Sequence, residues 1–168
     1  NQVYLIGLGS QQHIPQTLAV SRWDRQVRRH RQVMNTTIQK IIDKLKKYPD
    51  AKYTNTDDQI TVDPKDDKGF SVTLGVGPRE FIVSADFWHE HFDKDEEEKA
   101  LNCFAFLLSD VCRLRIEFKG EKPKTWTLES FENGQWIGDS TTGLFNFKFW
   151  QPTRVEYFQN GLIKMSED

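Results

Sequence analysis

The sequence predicts an α+β fold: a long N-terminal helix and a second helix packed on a largely antiparallel sheet, in the order α-βββ-α-βββββ. Three observations predict it. Apolar residues between Thr17 and Tyr48 recur at steps of three, four and seven. Two later stretches alternate apolar with polar residues between turn signals, and an acidic helix start separates those stretches. The 168 residues are expected to form one domain, 1–168, with 1–16 as an extended N-terminal arm.

The first helix rests on Val20, Trp23, Val27, Met34, Ile38, Ile41, Leu45 and Tyr48. At 100° per residue these fall within an arc of about 80°, one buried stripe. Pro15 suits the entrance, and Pro49-Asp50 marks the exit. Three short alternating runs follow: Gln59 to Val62, Phe70 to Leu74 and Glu80 to Val83. Asp66 to Gly69 and Gly75 to Pro78 punctuate them, which reads as an antiparallel meander. Residues Phe87 to Phe92 read as an aromatic connector into the second helix. That helix begins at Asp93, where Glu96 three residues on completes a capping-box pattern and Asp95 to Glu98 place negative charge at the positive end of the helix dipole. Leu101, Phe104, Ala105, Leu107 and Leu108 supply its buried face.

The last third is read as strands. Arg113 to Phe118 sets Leu114, Ile116 and Phe118 on one side and charged residues on the other. Thr125 to Glu132 and Gln135 to Ile137 flank Asn133-Gly134, the strongest short hairpin signal, so Phe131 is expected opposite Trp136. Ser140 to Gly143 reads as a turn. Leu144 to Trp150, Arg154 to Gln159 and a short run through Leu162-Ile163 complete the series.

Composition narrows the function classes. Only 37% of residues are hydrophobic, but 12 Phe, 5 Trp and 4 Tyr supply large buried areas, which argues for a packed core and against disorder. The longest apolar candidate, Val3 to Leu8, is broken by Gly7 and followed by Gly9, so no membrane span is expected. Two cysteines cannot build a disulfide framework, and a cytoplasmic location is the expectation. The net charge of −2 hides a +6 segment over 1–50, a −8 segment over 51–110 and a balanced remainder. A basic helix facing an acidic part of the same chain accounts for this, as does a pair of oppositely charged partner surfaces.

Four groups of residues are candidate sites. His89 and His91 flank Glu90, and in an extended segment both imidazoles share one side, a spacing that metal sites use. Zinc is the metal such a pair would take, but two ligands fall short of a site, so no cofactor is expected. Trp88 stands beside the pair as a contact residue. Arg22, Arg25 and Arg29 cluster opposite the apolar stripe of the first helix, within the basic run Arg22 to Arg31, where they suit phosphate. Phe131, Trp136 and Trp150 form the last group. The hairpin register puts Trp126, Leu128 and Ile137 on one face and Phe131 and Trp136 on the other, so aromatics occupy both faces.

A weak Glu117-x-Lys119 pattern arises readily on an alternating strand, and no nucleophile or phosphate-loop motif is present. The expectation is a non-enzymatic protein-interaction module of chaperone-like or toxin-neutralising type, with a protein partner. The alternatives are a small-ligand-binding protein or hydrolase using His89 and His91, and a nucleic-acid binder using the Arg22 to Arg31 helix.

Overall fold

The computed structural model describes residues 34–143 and 152–165, all within one compact unit, Met34–Asp168. Among the described residues, two α-helices and two antiparallel sheets make an α+β structure in which sheet predominates. The order is α1 (Thr36–Leu45), β1 (Tyr53–Asn55), β2 (Gln59–Val62), β3 (Val72–Val76), β4 (Glu80–Ala85), β5 (Trp88–Asp93), a 3₁₀ turn (Lys94–Glu96), α2 (Glu97–Leu107), β6 (Cys112–Lys119), β7 (Lys122–Glu132), β8 (Gln135–Gly143) and β9 (Thr153–Phe158). The first sheet runs β1-β2-β3-β4-β5 and the second β8-β7-β6-β9.

Of the helix expected from Thr17 to Tyr48, the part up to Val33 lies outside the described residues, and the rest is helical only from Thr36. Asn35 has extended backbone angles (φ −59°, ψ 136°), and its side chain accepts the Thr37 N–H at 2.9 Å, so a helix starts there. The cause is local: a short Asn side chain competes for the orphan N–H groups of a first turn. The helix ends at Leu45, three residues before Tyr48. Its stripe is as expected, with Ile38, Ile41 and Leu45 buried.

The first meander has five strands, not three. Tyr53–Asn55 adds one at the start, and the supposed connector forms β5, paired with β4 from Ala85↔Trp88 to Glu80↔Asp93. Two residues, Asp86 and Phe87, join β4 to β5; Asp86 takes positive φ (53°), which Asp tolerates better than most residues. One face of this sheet is apolar, with Ile60, Val62, Val72, Leu74, Phe81 and Val83 buried. The 3₁₀ turn begins as expected at Asp93, whose N–H donates to the Glu96 carboxylate at 3.1 Å. From there α2 packs across β3, β4 and β5 and reaches β6, burying Ala100, Phe104 and Leu107.

In the second sheet Asn133 (φ 50°) and Gly134 (φ 81°) turn the β7-β8 hairpin, and Phe131 lies opposite Trp136 as the register requires. Two positive φ angles in succession are what a tight hairpin matching the strand twist needs, and Asn-Gly supplies them at low cost. Ser140 to Gly143, expected as a turn, continues β8 past a bulge opposite Leu128/Glu129. The run Leu144 to Trp150 lies outside the described residues. Leu162-Ile163 forms no strand; Ile163 makes a single parallel bridge to Ser109.

One apolar cluster unites both sheets and both helices, Cys112, Leu114, Ile116, Trp126 and Leu128 facing the residues above. Two indoles stitch the sheets together. Trp88 Nε1 donates to Ser140 Oγ at 2.7 Å, and Trp126 Nε1 donates to Asp86 Oδ2 at 2.6 Å. Buried Asn160 secures the chain end: its Oδ1 accepts the Phe70 N–H at 3.2 Å, and its Nδ2 donates to the carbonyls of Phe70 and Leu107, both at 3.0 Å. A Cβ on Gly69 would stand 2.7 Å from Asn160 Oδ1 and 2.8 Å from Pro64 Cβ, so only glycine admits this lock. Among the described residues no helix is long and apolar enough to cross a membrane.

Candidate interaction face

The four-stranded sheet has a second face, and strand alternation decides what stands on it. Cys112, Leu114 and Ile116 point inward, so Arg113, Arg115, Glu117 and Lys119 point outward from β6. Register brings Glu129 of β7 opposite Arg113 and Tyr157 of β9 opposite Arg115. Phe131 and Trp136 close the hairpin end of the same face.

At its centre the Arg113 guanidinium lies 4.2 Å from the ring centroids of both Trp136 and Tyr157. Its Nε donates to Glu129 Oε2 at 2.5 Å. The Arg and Glu side chains retain only 21% and 11% of their exposure, so this is a partly desolvated, charge-assisted bond with a cation–π contact on either side. The Phe131 and Trp136 rings pack at 5.1 Å and 53°. Arg115 pairs with Glu117 at 2.5 Å, and the Thr127 and Thr141 hydroxyls meet at 3.1 Å. Yet the apolar groups around this polar framework stay open to solvent: Phe131 is 40% exposed, Tyr157 48% and Val155 37%.

The other candidates fare differently. His89 and His91 do share one side of β5, with ring centroids 5.4 Å apart and edge to face. His91 Nδ1 stands 2.8 Å from Glu80 Oε2, and His89 Nδ1 lies 3.2 Å from the Phe87 carbonyl. Both rings are exposed, and neither lines either of the two clefts described below. Among the described residues no three His, Cys, Asp or Glu side chains converge as a metal site would require. Trp88, expected as a contact residue, is 2% exposed and belongs to the core, because β5 pairs with β4 and turns alternate residues inward. Arg22, Arg25, Arg29 and Trp150 lie outside the described residues.

Sequence reasoning missed the parts of the face that come from distant strands. Tyr157 is 44 residues from Arg113, and only the β6-β9 pairing makes them neighbours. It also missed two clefts. One, of about 860 Å³, lies among residues 47–52, 62–69 and 159–164 and mixes lysines with aspartates. The other, about 290 Å³ and largely apolar, lies between α1 and α2, lined by Ile41, Leu45, Leu101 and Phe104. No signal short of the tertiary fold marks either.

The two thiols are chemically quiet. Burial pushes Cys103 up to about 12 and raises Cys112 further, with weaker contributions from Glu90 and from Cys103 respectively. Neither is poised as a nucleophile. Comparison of the chain with protein-family models, with characterised proteins and with solved structures returns no match.

Proposed function

We propose that this chain is a protein-interaction module that binds its partner through the outer face of the four-stranded sheet. A single observation carries the reading: the Trp136–Arg113–Tyr157 stack, held by Glu129 and bordered by exposed Phe131 and Val155. Trp, Tyr and Arg are the residues in which interface binding energy concentrates, and rigid, pre-placed side chains lose little entropy on contact. The largely buried Arg113–Glu129 pair holds a cation against both rings, while Tyr157 stays exposed and Trp136 half-buried. Chaperone-like and toxin-neutralising proteins act in this way, by covering a partner surface without chemistry.

The test is a Phe131→Ala/Tyr157→Ala double variant compared with the wild-type chain in chemical cross-linking from the native host. A specific cross-linked species that disappears in the variant, while circular dichroism and the unfolding midpoint stay unchanged, supports the reading. An identical cross-linking pattern in both proteins overturns it.

A further inference from the structure

We infer that the partner engages this face by adding an extended strand to β8, and that the added segment is basic with apolar residues at alternate positions. The inference rests on the proposed interaction face and names the chemistry that would occupy it. Among the described residues four strands end the two sheets, and three are guarded. β1 is three residues long; β5 carries His89, Glu90, His91 and Asp93; β9 follows Pro152 and carries Arg154 paired with Glu156. Short length, charge and proline are the devices by which sheets discourage added strands.

β8 has few of them. It runs for nine residues without Lys, Arg or Pro, and its one charged residue, Asp139, sits at the bulge. Because the hairpin has a two-residue loop, Gln135 closes it with both hydrogen bonds directed to β7. By alternation Ile137 also bonds inward, and Trp136 and Gly138 direct their N–H and C=O groups outward. Those groups define the register of an incoming strand, whose alternate side chains then lie beside Trp136 on the aromatic face.

Charge selects the occupant. From Phe131 to Gly143 the only charged residues are Glu132 and Asp139, both exposed, with no basic residue to balance them. Glu129, the neighbouring acid, is already engaged by Arg113. An incoming segment with Lys or Arg close to Asp139 is attracted, and an acidic one is repelled.

Random dodecapeptides displayed on phage and panned against the full chain test this directly. The expected winners carry apolar residues at every second position and at least one Lys or Arg. The best binder is then synthesised with N-methyl groups on alternate amides in each of the two phases. One phase should weaken binding at least tenfold and the other less than twofold, because only one set of amides faces β8.

Acidic or proline-rich winners, or equal effects of the two phases, overturn strand addition, as does the absence of any enriched peptide. The Phe131→Ala/Tyr157→Ala variant separates the two ideas. Binding that it abolishes, yet that methylation weakens equally in both phases, leaves the face intact and removes the strand; binding that it leaves unchanged removes the face.

Discussion

The five-stranded sheet buries Ile60, Val62, Val72, Leu74 and Val83 on one side and presents Thr61, Thr73, Ser84, His89 and His91 on the other. The four-stranded sheet is furnished on both: Leu114, Trp126 and Leu128 inward, and Arg113, Glu129, Phe131, Trp136 and Tyr157 outward. Five consecutive residues of β7, Trp126 to Ser130, are buried whichever way they point. The outward faces of the two sheets therefore differ in composition. On the first, the polar residues need only hold strands together, as the Thr61–Thr73 hydroxyl contact at 2.9 Å does. On the second, aromatic surface and a partly desolvated ion pair stand on the side away from the core. A surface of that composition suits recognition.

Substitutions test this contrast. The largest effect belongs to Trp126→Ala, which removes a core indole and its bond to Asp86; about 3–5 kcal/mol of stability should be lost in urea unfolding. Next is Arg113→Ala, which strips Glu129 of its partner and both rings of their cation. Because the pair is only partly buried, about 1–3 kcal/mol is expected, and a loss below 0.5 kcal/mol, on the order of an ordinary surface change, would reduce the stack to decoration.

Phe131→Ala and Tyr157→Ala should each change stability by about 0.5 kcal/mol or less while partner binding falls. Should either variant unfold the chain, the outer face is structural and the contrast between the sheets collapses. Cysteine chemistry probes the core behind that sheet, where Cys112 begins β6 and Cys103 stands on α2: with Cys103 pushed up to about 12 and Cys112 higher, native thiols at pH 8 should react with a disulfide reagent at least tenfold more slowly than unfolded ones.

The smallest effect lies in the helices. Hydrogen bonds from Lys40 (2.8 Å) and Thr37 (2.7 Å) hold the Glu97 carboxyl below its ordinary value of 4.5. The folded state thus binds this proton less tightly than the unfolded chain. The resulting stabilisation is complete above pH 4.5 and is lost as the pH falls through the lower folded-state value. Glu97→Gln should lower stability slightly at neutral pH and leave the acid end, where the carboxyl is already protonated, little changed, so that the profile between them flattens.

Features carried by neighbouring residues were legible in the sequence. Asn133-Gly134 dictated the hairpin and the Phe131–Trp136 pair, and Asp93 with Glu96 marked the entry to the second helix. The stripe Ile38, Ile41 and Leu45 was visible as period, but period did not show that a helix begins only at Thr36, where the Asn35 side chain caps the first turn. The reading of Phe87 to Phe92 failed for the opposite reason. Its aromatic and histidine content disguised a strand whose existence depends on β4 lying alongside.

What the sequence determined alone is therefore the local conformational bias and the division of each element into an apolar and a polar side, since both follow from side-chain chemistry at fixed helical or strand period. Tertiary structure decided which polar side gathers an ion pair and aromatic rings together. Arg113 is unremarkable on an alternating strand; only when β7, β8 and β9 bring Glu129, Trp136 and Tyr157 around it do charge and aromatic area combine. Likewise Trp88, expected as a contact residue, lies in the core because pairing with β4 set which way it points.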